Sequence, residues 1–89
     1  MTYSLLLGPE FQKAYRKLDK YTQRMIRRWM EKNLSNTTDP RAHGKALVGN
    51  LKGLWRYRIG DYRLICSIED NKLTVLAITV GHRRDIYTS

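Results

Sequence analysis

The stretch that decides the fold is GLWRYRIGDYRLICSIEDNKLTVLAITV, residues 53–80. It holds three β-favouring runs, LWRYRI at 54–59, YRLICSIE at 62–69 and LTVLAITV at 73–80, with Gly60-Asp61 and Asp70-Asn71 between them. Val, Ile, Tyr and Trp at this density, cut by Gly, Asp and Asn, predict strands joined by tight turns. Connections that short force neighbouring strands to run antiparallel, so the three runs predict a meander.

Upstream, Tyr3 to Leu7 is an apolar stretch closed by Gly8-Pro9, which predicts one short strand and a break, with Pro9 suited to the first turn of a helix. From Glu10 the apolar positions Phe11, Ala14, Tyr15 and Leu18 recur at i, i+3, i+4 and i+7, while Lys13, Arg16, Lys17 and Lys20 take other faces. Asp19 is placed to cap a second amphipathic helix with Met25, Ile26, Trp29 and Met30 inward and Arg24, Arg27, Arg28 and Glu31 outward. SNTTDPRAHGK at 35–45 has turn formers and no apolar period, so it predicts a loop, followed by turns at Gly49-Asn50 and Lys52-Gly53. The expected fold is α+β in the order β-α-α-β-β-β. An antiparallel sheet buries one face under an N-terminal helical hairpin and leaves the other wet, with the first strand added at an edge.

The chain has 89 residues, which fits a single domain over 1–89. A domain of this size buries only about 60% of its unfolded surface, so its core is thin and a deep cofactor pocket is not expected. Seventeen Lys and Arg against eight Asp and Glu give a net charge of +9, and the pI is ≈ 10.1. That field favours a polyanionic partner, nucleic acid first and an acidic protein second. Cys66 stands alone within YRLICSI, which fits packing and excludes an internal disulfide. His43 and His82 lack Cys, His or Glu neighbours at ligand spacing, so no metal and no cofactor are expected. The longest early apolar run is LLL at 5–7 and MTYS has no basic n-region, which predicts a cytosolic protein without a membrane span.

Function is expected on the wet face. Alternation along LWRYRI sets Trp55, Tyr57 and Ile59 on one side and Arg56 and Arg58 on the other. On the next strand Tyr62, Leu64, Cys66 and Ile68 share the apolar side, and Arg63 joins the two arginines opposite. After Gly81 the segment His82-Arg83-Arg84-Asp85-Ile86-Tyr87 is positioned to return over that patch. Solvated strand arginines that discourage edge pairing are the bland alternative. Several guanidinium groups on one short sheet repel one another unless an anion sits among them, and their paired donors match phosphate oxygens. The arginines of the second helix, and Trp29 and Trp55, read instead as solvated backing and core anchors. His82 is a candidate for proton exchange.

Taken together, GLWRYRIGDYRLICSI, the apolar strand after it and the closing VGHRRDIY resemble the RelE/ParE superfamily of bacterial type II toxin–antitoxin toxins, most closely its RelE branch. The resemblance covers nearly the whole chain. It implies the RelE-like microbial RNase fold and an endoribonuclease that enters the ribosomal A site and cleaves mRNA by attack of a ribose 2′-hydroxyl on the adjacent phosphate. It also implies restraint by a cognate acidic antitoxin. Carried over by position, the basic residues of the first meander strand match Arg56 and Arg58, the Tyr-Arg-Leu arginine matches Arg63, the arginine after the last strand matches Arg83, and the terminal tyrosine matches Tyr87. Some relatives have lysines where this chain has Arg56 and Arg58, and guanidinium groups are poor proton carriers at neutral pH. Where relatives commonly have a basic residue before the glycine of the preceding turn, this chain has Val48, leaving Lys45 and Lys52, with Arg84, as the basic periphery. The implied mechanism is electrostatic and metal-independent: Arg63 and Arg83 on the scissile phosphate, Arg56 and Arg58 on flanking ones, Tyr87 against the attacking nucleotide and His82 moving a proton. Two rivals remain, a ParE-like inhibitor of DNA gyrase on the same fold and a non-catalytic RNA-binding module.

Overall fold

A computed structural model describes residues 1–84, in which β1 (Ser4–Leu7), α1 (Pro9–Arg16), α2 (Lys20–Asn33), β2 (Lys45–Ala46), β3 (Trp55–Ile59), β4 (Tyr62–Glu69) and β5 (Thr74–His82) follow in order. The strands form one sheet, β1-β5-β4-β3-β2. The two helices pack on one face of it, as the amphipathic spacing requires. Pro9 opens α1, and the Asp19 carboxylate caps α2, accepting the Thr22 N–H at 3.2 Å and its hydroxyl at 2.6 Å. The hairpin is closed by reciprocal bonds, Tyr15 Oη to the Gln23 carbonyl at 2.8 Å and Gln23 Nε2 to the Tyr15 carbonyl at 2.9 Å.

Phe11, Ile26, Met30 and Leu34 from the helical side meet Tyr57, Leu64, Cys66, Val75 and Val80 from the sheet in one buried core, with Trp29 and Trp55 packed at its margin. Cys66 is fully buried, and desolvation pushes its thiol well above the ordinary range, so it packs as a small hydrophobe. The Tyr57 hydroxyl, inside the core, donates to the Pro40 carbonyl and ties the long loop to the sheet. Among the described residues no helix is long and apolar enough to cross a membrane.

Three features depart from the sequence reading. First, the sheet is mixed, because β1 runs parallel to β5, Ser4 beside Thr74 through Leu7 beside Ala77. A whole domain of chain separates these strands, so no tight turn dictates their direction. Second, the loop expected over 35–45 ends in strand, since Lys45 and Ala46 pair with Arg56 and Trp55. Two residues are too few for an alternating pattern to show. Third, β5 is bulged: Ile65 pairs with Thr79 but Cys66 with Ala77, leaving Ile78 as the extra residue. The bulge sets Ala77 and Val80 on the core side and Thr79 and Gly81 on the open one.

Candidate nucleic-acid interface

The site is built by register. Directly paired residues share a face of a sheet, and Lys45 pairs with Arg56, Arg58 with Arg63, and Arg63 with Gly81. Lys45, Arg56, Arg58 and Arg63 therefore stand together on the open face, and Gly81 adds no side chain beside Arg63. Beyond β5, the Arg83 N–H donates to the Asp61 carbonyl at 2.8 Å, which pins the segment after the strand to the β3–β4 turn. That bond delivers the fourth arginine, and desolvation, then Arg56, Arg58 and Arg83, pushes the Arg63 guanidinium below its ordinary value.

None of the four arginines has a carboxylate partner among the described residues; the ion pairs there are Arg41–Asp70 and Lys72–Glu69. Arg63 Nε is buried without a hydrogen-bond partner among the described residues. Arg56 and Arg63 are half-buried while Arg58 and Arg83 are exposed, so the cluster has a fixed floor and a reachable rim. Four guanidinium groups in this arrangement can bind phosphate oxygens through several paired donors.

Comparison with known proteins then decides the family. The model described as "ParE toxin of type II toxin-antitoxin system, parDE" matches residues 5–87. The chain belongs to this toxin family. Toxin RelG of Mycobacterium tuberculosis is 43% identical over 49 residues, a stretch covering 55% of this chain and 56% of that relative, so the chain spans just over half of the curated relative's length. The toxin–antitoxin complex RelBE2 of the same organism has a chain 28% identical, with a TM-score of 0.84 over 96% of this chain and 95% of its own. The isolated E. coli RelE toxin shares the fold, with a TM-score of 0.71 at 24% identity over 90% of this chain and 83% of its own. The RelG and RelBE2 matches are likenesses to RelE-type toxins, and the E. coli match shows the shared fold.

Within this toxin-family chain the structure separates the expected residues. Arg56, Arg58, Arg63, Arg83 and Lys45 come together as described. His82 does not face Arg63: it pairs with Tyr62 on the core side of the sheet, its ring edge-on to that tyrosine at 5.5 Å, and its Nδ1 accepts the Arg84 N–H at 3.2 Å. Alternation explains this, because the residue after Gly81 must point the opposite way. Arg84 is exposed in the turn after β5. Lys52, also exposed, follows the 3-10 turn Gly49–Leu51 before the start of β3, whereas Arg58, Arg63 and Arg83 gather at that strand's other end. Tyr87 lies outside the described residues.

Residues to which the sequence assigns no part in the site complete the surroundings. Arg41 forks onto Asp70 at 2.9 and 3.1 Å, its guanidinium 5.8 Å from the Trp55 ring centroid, and so anchors the loop before β2. His43 and Trp29 join Gly44, Lys45, Arg56 and Arg58 around a cavity of about 310 Å³. No spacing rule links a loop histidine to a helix tryptophan, and only the tertiary fold does. A larger groove of about 540 Å³ lies along α2 between Tyr21, Met25 and Trp29 and the basic Arg24, Arg28 and Lys32. This groove has the greater volume, and the arginine face has the convergent donors.

Proposed function

We propose that this chain is a ribosome-dependent mRNA endoribonuclease that acts in the A site without a metal and arrests translation. The observation that carries the reading is the face formed by Arg56, Arg58, Arg63 and Arg83, with no carboxylate paired to any of them among the described residues. In the reaction, the ribose 2′-oxygen attacks the adjacent phosphorus, the bond from phosphorus to the 5′-oxygen breaks, the 2′-hydroxyl gives up its proton and the leaving oxygen takes one. The products are a 2′,3′-cyclic phosphate and a 5′-hydroxyl. Arg63 and Arg83 hold the phosphate and stabilise the extra charge of the pentacoordinate transition state. Arg56 and Arg58 take flanking phosphates, and Tyr87 aligns the attacking nucleotide. Because His82 turns toward Tyr62, its contribution is to position the Arg83-Arg84 turn through its Nδ1, and proton transfer falls to groups the ribosome brings.

A net charge of +9 with arginines that lack a carboxylate partner among the described residues also suits an acidic antitoxin that covers the face and silences it, and a cytosolic location follows from a ribosomal target. The relative of highest structural similarity above is described as a toxin–antitoxin complex, which supports a cognate partner.

The test is primer extension on translated messages after induction in a bacterial cell, beside Arg83→Ala. Codon-spaced cleavage lost in the variant is the expected outcome. The ParE wording of the matching family model favours one second reading, gyrase inhibition. Growth arrest with intact messages and altered plasmid supercoiling would establish that reading instead.

A further inference from the structure

The cavity at the outer edge of β3 has the makings of a second element of recognition. Resting on the reading that the arginine face binds RNA phosphates, we propose that this cavity is a nucleobase subsite, taking the base of a nucleotide whose phosphate lies on Arg56 and Arg58.

Its position follows from the sheet. β2 pairs with β3 only at Lys45–Arg56 and Ala46–Trp55, so among the described residues the β3 edge at Arg58 has no strand beside it, and His43 and Gly44 fill the margin. The walls are two rings, the exposed His43 imidazole and the half-buried Trp29 indole, edge-to-face with centroids 5.8 Å apart at 68°. Lys45, Arg56 and Arg58 form the rest of the lining, and at about 310 Å³ the cavity sits at the small end of ligand sites. Arg56 and Arg58 thus line the cavity and the open face at once, which joins a place for a flat ring to a place for its phosphate.

The backbone at position 43 is held in place. Trp55 Nε1 donates to the His43 carbonyl at 2.7 Å. Gly44 has φ +83, and a Cβ there would come within 2.3 Å of the Arg56 carbonyl oxygen and 2.6 Å of Trp55 Nε1. The backbone carrying His43 is therefore held close against β3, which sets where its ring starts before any ligand arrives. Splayed single-stranded bases are recognised by stacking on aromatic rings and guanidinium planes, the two groups present here. An acidic peptide would use the cations and leave both rings idle.

The probe is a 2′-O-methyl RNA hexamer, which lacks the attacking hydroxyl, compared with an oligomer of equal charge carrying abasic residues, both titrated against the full chain by fluorescence anisotropy and by NMR of the His43 and Trp29 rings. The hexamer is expected to shift both rings, and His43→Ala to weaken it about ten-fold while leaving the melting temperature unchanged. The abasic oligomer should bind the native chain and His43→Ala equally. Equal affinity of native protein for intact and abasic oligomers, with Arg56 and Arg58 still engaged, would overturn the subsite and leave the phosphate face standing. Poly-glutamate that shifts the same rings as strongly as the hexamer would also overturn it. No binding of either oligomer would remove the phosphate face and the subsite together, whereas intact messages in the cell with base-dependent binding in vitro would remove only the nuclease reading.

Discussion

Arg58 and Arg63 stand directly opposite one another across β3 and β4. Like charges in that relationship oppose folding, and here Arg56 and Arg83 add to the repulsion while Arg63 Nε lies buried without a partner among the described residues. A fold that keeps such an arrangement stores a need for an anion. Replacing Arg63 by a flexible apolar side chain of similar length removes the repulsion and the orphaned donor together. Arg63→Met should therefore raise the melting temperature by a few degrees in low salt and abolish growth arrest. Calorimetry with added phosphate or oligonucleotide should stabilise the native chain and leave Arg63→Met nearly unmoved. A variant that melts lower than the native chain would mean that Arg63 supports the sheet and is not strained by it.

Binding strength should carry the same signature. Each phosphate neutralised on a single strand contributes about 0.7 to the slope of log affinity against log salt, so four arginines predict a slope near −3 for an uncleavable RNA. Arg56→Gln, Arg58→Gln and Arg83→Gln should each flatten it by about 0.7, and Lys52→Gln, set apart by the structure, should hardly change it. Anisotropy titrations from about 50 to 200 mM salt decide the matter. A slope unchanged by all three arginine substitutions would sever the cluster from RNA binding.

How much of this was legible in the sequence depends on the range of the forces involved. The meander, the capped helical hairpin and the shared face of Arg56, Arg58 and Arg63 rest on local periodicity and short turns, and the structure has them. The parallel edge of β1 on β5, the two-residue β2 and the bulge at Ile78 depend on long-range pairing that leaves no local pattern. His82 shows the cost at the site itself. It sits one residue after Gly81, and one residue is half the period of a strand, so it faces Tyr62 and not Arg63. The Trp29–His43 cavity joins helix and loop through the core and has no sequence signature at all.

The loop before β2 makes a prediction about pH. Asp70 accepts both donors of Arg41 and the Tyr3 hydroxyl at 2.7 Å, and those bonds, Arg41 foremost, hold its carboxyl below the ordinary carboxylate range. A carboxyl whose pKa is lower in the folded state binds its proton more readily when unfolded. Its contribution is complete above the unfolded value of about 4 and is lost as pH falls through the folded one. Asp19, lowered by its bonds to Thr22, acts in the same sense. Urea titrations at several pH values below about 5 should show a shallower fall in stability for Asp70→Asn than for the native chain, with Asp19 accounting for part of what remains. Parallel curves for the two proteins would show that the Arg41–Asp70 pair is too solvated to matter.

Gly44 tests the clamp that holds the β3 edge. Gly44 and Gly53 both have positive φ, +83 and +98, so an alanine at either meets the same left-handed strain, about 1 kcal/mol. They differ in surroundings. A Cβ at Gly53 meets nothing within 4 Å, whereas at Gly44 it runs into the Arg56 carbonyl at 2.3 Å, an atom fixed by the sheet. Gly44→Ala should thus cost about 2–3 kcal/mol, well beyond Gly53→Ala, because backbone strain and overpacking coincide there. In a domain of this size that separates their melting temperatures by about 5–15 °C. The loss should also displace the Trp55 indole N–H resonance, since Trp55 Nε1 bonds the adjacent His43 carbonyl. Equal melting temperatures for the two variants would mean that the loop yields at Gly44, and that the wall carrying His43 is not set by the strand beneath it.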